Sequence, residues 1–275
     1  MPSLLVVGIL PHDSGKTTLA TSLIEEAVER GIDVGVSKPV SGFNGWYQYE
    51  YLAKSIEHHV LIGEDAHKLH KSAKSSEPIE IESPLTVLLI PPDPEKVGWR
   101  SSTYTAITYQ HQVAIVRVSS IANTKHYYIP ENIRRLTRPL RKEVEKLISV
   151  VNPESLNIRD VDKLLVKSRK KADECLNYIK RNHELTVIES YNNFAAPTAG
   201  SLDSDIVIAV APSKAAIFKG EDYKKAVTVL SSLKEPWKIV TEDILPLLHP
   251  EKIMEFGPGK VERIFDIVLK VLGEP

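Results

Sequence analysis

Lys16 and Thr17 are the first residues whose types and spacing could do chemistry. They follow Gly15 in the stretch GILPHDSGKTTLA, residues 8–20. The order G-K-[ST] closes the G-x-x-x-x-G-K-[ST] signature of a phosphate-binding loop. Such a loop holds phosphates on backbone N–H groups at the positive end of a helix. Lys16 would then reach the β- and γ-phosphates, and Thr17 would ligate magnesium. His12, Asp13, Ser14, Gly15 and Thr18 complete the expected nucleotide-binding set, with His12 able to touch phosphate. The first glycine of the signature would fall at position 10, which is Leu10. The approach to this loop is therefore expected to differ from the standard one.

The loop needs a strand before it and a helix after it. Residues 3–10, SLLVVGIL, are a short apolar run of the kind buried on both faces of a sheet. Leu19, Leu23, Ile24, Ala27 and Val28 recur at helical spacing from Lys16 to Arg30, and Gly31 closes that helix. DVGVSK (33–38) reads as a second strand, so the chain opens as a parallel α/β unit. EYLAKSIEHH and EDAHKLHKSA read as short helices, and LTVLLI (85–90) as a strand. Residues 103–129 alternate and read as an antiparallel meander or hairpin, including TYTAITY, QVAIVRVSS and KHYYI. Two long helices are expected at about 132–151 and at 161–182. Strands return at 185–190, 204–213 and 237–241, with helices at 220–233 and 259–272. The expected fold class is α/β, an open, mostly parallel sheet flanked by helices. It forms one domain over 1–275 with a mixed insertion at 95–183.

DSGKTTLATSLIEEAVERGIDVGVSKPVSG, with Lys38-Pro39-Val40-Ser41-Gly42 at its end, resembles the N-terminal segment of dethiobiotin synthetase. The wider likeness is to the ParA/MinD and cobyrinate synthase class of P-loop NTPases. The resemblance implies that Lys38 is a second active-site cation near the phosphates and the substrate. GEDAHKL (63–69) resembles a segment whose aspartate helps hold magnesium, which implies that role for Asp65. VIESYNN (187–193) resembles one whose glutamate serves the same metal, which implies it for Glu189. Both assignments make physical sense. A carboxylate at the carboxyl end of a parallel strand lies in the ligand crevice of an open α/β sheet, and magnesium takes oxygen ligands. SYNN replaces the family's glycines, so the pocket beside Glu189 is expected to differ, with added bulk from Tyr191 and Asn192.

The function implied is phosphoryl transfer by a magnesium-dependent, ligase-like ATPase, to water or to a small carboxylate or carbamate. The acceptor is not legible. ATP is expected, with GTP as the alternative, since no N-K-x-D signature appears; the loops at 210–214 and 240–243 stand where a base would be read. A polynucleotide 5′-hydroxyl kinase and a GTPase-like switch are the competing readings. The net charge of −1 gives no overall bias toward nucleic acid or membrane. Residues 131–183 do hold 14 Lys/Arg against 8 Asp/Glu, with Arg134, Arg138 and Arg141 on one helix face. That charge is read as a solvated face, because no clustered exposed aromatic residues are expected to stack bases. The single cysteine, Cys175, excludes an internal disulfide and suits the cytoplasm. No apolar run approaches the ~20 residues of a membrane span. Three glutamines, Gln48, Gln110 and Gln112, hint at a thermophile. A homodimer is left open.

Overall fold

A computed structural model describes residues 2–106, 109–235, 238–257, 261 and 263–272 of the 275-residue chain. The chain begins with β1 (Ser3–Gly8), α1 (Lys16–Glu29), β2 (Val34–Ser37) and β3 (Val40–Asn44). There follow α2 (Tyr49–Glu57), α3 (Glu64–Ser72), α4 (Ile79–Glu82), β4 (Leu85–Leu89) and α5 (Ser101–Ala106). Next come β5 (Val113–Ser119), β6 (Thr124–Tyr128), α6 (Pro130–Ile133), α7 (Arg138–Val151), β7 (Glu154–Ser155) and α8 (Val161–Asn182). The last third holds β8 (Leu185–Glu189), β9 (Ile206–Ala211), β10 (Lys214–Lys219), α9 (Gly220–Leu230), α10 (Thr241–Ile244), β11 (Lys252–Glu255) and α11 (Ile264–Leu272).

The result is an α/β protein with two mixed sheets. The first has the order β11-β10-β9-β1-β8-β2. Its β9, β1, β8 and β2 are mutually parallel, and β10 and β11 add an antiparallel edge. β1 shows why this sheet reads as unbroken apolar sequence. Leu4 and Val6 enter a core with Leu19, Leu23 and Ile24 of α1, while Leu5 and Val7 enter the opposite core with Leu176 of α8 and Tyr223 of α9. Both faces are covered, so no polar alternation survives.

The second sheet has the order β3-β4-β5-β6-β7. β3 and β4 are parallel, and β4, β5 and β6 form an antiparallel meander. Phe43, Leu88 and Ile115 pack on one side with Leu52 of α2 and Val144 and Leu147 of α7. Val87, Val116 and Val118 pack on the other, toward Leu164 and Leu165 of α8. α8 touches β2 and β8 of the first sheet and β4 and β5 of the second, so it ties the two together. The chain crosses between sheets at Lys38–Pro39. There the Lys38 N–H donates to the Glu82 carbonyl at 2.7 Å, and the Leu85 N–H to the Pro39 carbonyl at 3.3 Å.

Several expectations change. Residues 103–106 are helical, in α5, and Tyr109–His111 form a single 3-10 turn; Ile107 and Thr108 lie outside the described residues. β5 already has β4 and β6 on its two flanks. The expected helix at 132–151 is two, α6 and α7, with Pro139 in the first turn of α7, where its missing N–H costs nothing. Val240 makes only an isolated bridge to Phe194, and α10 starts at Thr241; Trp237, the start of the strand expected there, lies outside the described residues, as does the start of the last expected helix. β3, β10 and β11 had no counterpart in the sequence reading. Residue 95 falls between β4 and β5, inside the second sheet, which already begins at Val40. Among the described residues no helix is long and apolar enough to cross a membrane.

Candidate functional site

The site gathers at the carboxyl ends of β1, β2 and β8. β1 sits centrally between β9 and β8, and its pairing ends where the Ile9 N–H donates to the Val210 carbonyl at 3.0 Å. The loop then closes on itself through Ser14. Its buried Oγ accepts the Leu10 N–H at 3.0 Å and donates to the Leu10 carbonyl at 2.8 Å. Asp13 (φ 53°) and Gly15 (φ 89°) are both left-handed, and left-handed residues in such turns build anion-binding concavities from backbone N–H groups. Gly15 caps α1, whose first turn holds no acidic residue and whose N-terminus has no side-chain cap. These free N–H groups and the helix dipole favour an anion. His12, Asp13 and Thr18 are exposed at the rim, while Ser14 and Lys16 turn inward.

Lys16 reaches back over the end of β1. A Cβ on Gly8 would stand 2.7 Å from Ser14 Oγ and 2.8 Å from Lys16 Nζ. Gly8 is thus a residue the sequence reading passed over. It stands seven places before Gly15, outside the usual spacing, and its signal was a glycine ending a buried strand. Burial, and then the charge of Lys38, hold the Lys16 ammonium below its ordinary value.

Thr17, Lys38, Asp65 and Glu189 converge, although they are far apart in sequence. Thr17 Oγ1 lies 3.2 Å from Asp65 Oδ1 and 3.0 Å from Glu189 Oε1, and its one proton serves one of them at a time. Lys38 Nζ lies 2.6 Å from Glu189 Oε1, 3.1 Å from Asp65 Oδ2 and 2.9 Å from the Ser190 carbonyl. Those three contacts use all three ammonium hydrogens. Lys38 and Glu189 are buried, and Asp65, in the first turn of α3, opens partly to solvent. Glu189 Oε2 is buried without a protein partner.

The charges are tightly coupled. Burial opposes the Lys38 ammonium, but Asp65 and Glu189 outweigh it and raise its affinity for the proton. Burial also opposes the Asp65 carboxylate, and Lys38 outweighs it, so Asp65 is held below its ordinary value. Burial pushes Glu189 up, against the pull of Lys38. Two cations and two carboxylates share the site, with Lys38 charged and Asp65 ionised at neutral pH.

This donor set suits a hard cation beside phosphates. Among the described residues no group of three His, Cys, Asp or Glu is placed to hold a metal. A hydroxyl and two carboxylates leave the remaining positions to phosphate oxygens and water, which is how magnesium is commonly bound. The buried, unpartnered Glu189 Oε2 fits such an occupant.

The surroundings differ from expectation in two places. Residues 210–214 make no open loop: β9 turns back into β10 through Pro212 and Ser213, with Ala211 opposite Lys214. Residues 240–243 enter α10, where the Thr241 N–H donates to the Asn193 carbonyl at 2.8 Å. Tyr191 stacks on Phe194 with ring centres 4.7 Å apart, and Arg169 lies over its ring and donates to its hydroxyl at 2.8 Å. Asn192, with φ 44°, is exposed. No family model, curated protein or solved structure matches this chain, so the likeness to dethiobiotin synthetase rests on its motifs alone.

Proposed function

We propose that the protein is a P-loop ATPase that binds a magnesium nucleotide between the 9–15 loop, α1 and the Thr17–Asp65–Glu189 cluster. Its chemistry is phosphoryl transfer to water or to a small-molecule carboxylate or carbamate. The observation that carries this reading is the meeting of Lys16, Thr17, Lys38, Asp65 and Glu189 at one end of a parallel sheet, beneath an uncapped helix N-terminus. Phosphoryl transfer asks a protein for positioning and charge neutralisation. Lys16 and Lys38 supply the positive charge, and the backbone of the loop supplies N–H donors. Thr17, Asp65 and Glu189 would hold the magnesium, which neutralises charge developing on the phosphates. ATP is preferred to GTP because no guanine-reading signature is present.

Calorimetric titration with ATP and magnesium, on the full chain and on Lys16→Ala, tests the proposal. Binding that is strong in the parent, needs magnesium and is lost in the variant is the expected result. Equal affinity in both, or none in the parent for either ATP or GTP, overturns it.

A further inference from the structure

Exposed aromatic residues lie in the segments that leave β3 and β4 at the end of the second sheet. Trp46 and Tyr47, in the turn after β3, are 60% and 82% exposed, and Tyr49 at the start of α2 is 48% exposed. The Gly45 N–H donates to the Leu89 carbonyl at 2.8 Å, which sets this turn beside the end of β4. The chain leaving β4 runs through a 3-10 turn at Pro94–Val97 to Gly98 and Trp99. Trp99 is 74% exposed and left-handed, with φ 55°. An aromatic residue in that conformation is uncommon, and such strain tends to persist at sites of function.

Basic side chains border the same surface. Lys96, beside Trp99, donates its ammonium to the Arg134 carbonyl, and the Asp93 N–H donates to the Arg135 carbonyl at 2.8 Å. These bonds dock the 93–99 segment against the start of α7. Arg134, Arg135, Arg138 and Lys142 are exposed there, as is Arg100. Arg138, Lys142 and Lys146 recur every fourth residue and form one stripe along α7. Tyr49 lies within electrostatic reach of Lys146, and α2 packs on α7. Residues 131–146 contain six Lys/Arg and three Asp/Glu, and one of those acids, Glu143, is held by Lys146 at 2.8 Å. The expectation of a merely solvated face rested on the net charge of −1 and on a lack of clustered exposed aromatics, whereas Trp46, Tyr47 and Trp99 are exposed.

We propose that this end of the second sheet binds single-stranded nucleic acid. Bases stack on Trp46, Tyr47 and Trp99, and phosphates meet Arg134, Arg138 and Lys142. Stacking platforms edged by cations are how single strands are held without a groove to read, and a uniformly basic surface without aromatics would serve any polyanion equally. One contact links this end of the second sheet to the neighbourhood of the phosphate-loop site. Gln48, next to Tyr47, donates to Glu64 Oε2 at 2.5 Å, and Glu64 adjoins Asp65. The proposal goes beyond the ATPase reading and stands without it.

Fluorescence anisotropy with labelled single-stranded RNA, single-stranded DNA and a duplex of equal length tests it, on the full chain without added nucleotide. Single strands are expected to bind more tightly than duplex and to quench tryptophan emission. Affinity should fall linearly with salt on logarithmic axes. Trp99→Ala and Trp46→Ala should each weaken binding by roughly 5- to 100-fold, with circular dichroism unchanged. Arg134→Glu with Arg138→Glu should flatten the salt slope. No binding at low salt overturns the proposal. So does binding that is equal for duplex and heparin and untouched by the tryptophan substitutions, because that is general attraction to polyanions. Preference for an acidic peptide over single strands also overturns it, in favour of a protein interface. Loss of ATP binding in Lys16→Ala with single-strand binding intact would separate the two proposals.

Discussion

At the scale of single residues, Lys38 holds the site together because it pairs directly with two buried or half-buried carboxylates. Lys38→Met removes that charge and leaves Asp65 and Glu189 facing each other. Breaking a buried pair in this way costs about 3–5 kcal/mol. Glu189 is already pushed up by burial, so in this variant it should take up a proton more readily still. The variant's stability deficit should therefore shrink as pH falls from neutral toward the carboxylate range, and adding Glu189→Gln should recover part of the loss. Urea denaturation across that range checks this, and a deficit independent of pH would count against the coupled pair. Gly8 gives a sharper test of the loop. Gly8→Ala sets a methyl group against Ser14 Oγ and Lys16 Nζ. Nucleotide affinity should fall at least tenfold, about 1.4 kcal/mol, while the fold persists; calorimetry together with circular dichroism separates the two effects.

At the scale of elements, α8 and β6 show what holds the two sheets in register. Leu176 of α8 is buried in the core of the first sheet, and its helix also packs on β4 and β5. Leu176→Ala should cost about 2–5 kcal/mol, and denaturation followed by probes in each sheet should show both lost in one transition. β6 carries a pH-sensitive contact. His126 Nε2 accepts the Leu61 N–H at 3.2 Å, which requires a neutral ring. Burial, then the charge of Arg117, lower the His126 pKa to about 4. Unfolded histidine protonates near 6.5, so between about 6.5 and about 4 the unfolded chain binds the extra proton. This contribution to stability is complete above the unfolded value and is lost as pH falls toward the folded one, by up to roughly 3 kcal/mol. His126→Gln should flatten the difference curve over that window. An unchanged slope would mean that His126 does not stay neutral in the fold.

At the scale of the whole molecule, ligand binding should report on the proposed site as a gain in global stability. Magnesium-ATP at about 100 times its Kd should stabilise the fold by about 2.7 kcal/mol. For a chain of this size that corresponds to a rise in Tm of roughly 5 °C. Chelating the metal should reduce the shift, and Asp65→Asn or Thr17→Ala should reduce its dependence on magnesium, as thermal scans would show. A shift with magnesium-GTP alone would reverse the expected base preference, and no shift with either would remove the nucleotide reading.

Much of the first sheet and the site was legible from short range. β1 reads as apolar because both its faces are covered, and Gly15-Lys16-Thr17 carries its spacing in three consecutive residues. Gly31 closes α1 with φ 81°, as a left-handed cap requires. Lys38, Asp65 and Glu189 were picked out by likeness to a family motif, but no local pattern says that they meet. That was decided by the parallel pairing of β1 with β8 and of β8 with β2, and by α3 laying Asp65 against Lys38. The second sheet was mostly hidden. β3 was read only as a site motif, and 103–106 alternated like a strand but is helical. The exposure of Trp46, Tyr47 and Trp99 was equally invisible, since an aromatic residue reads as core until its neighbours are known. Motifs, caps and apolar runs depend on residues a few places apart. Burial, ion pairing and strand partnership depend on residues brought together from across the chain, and only the tertiary structure decides those.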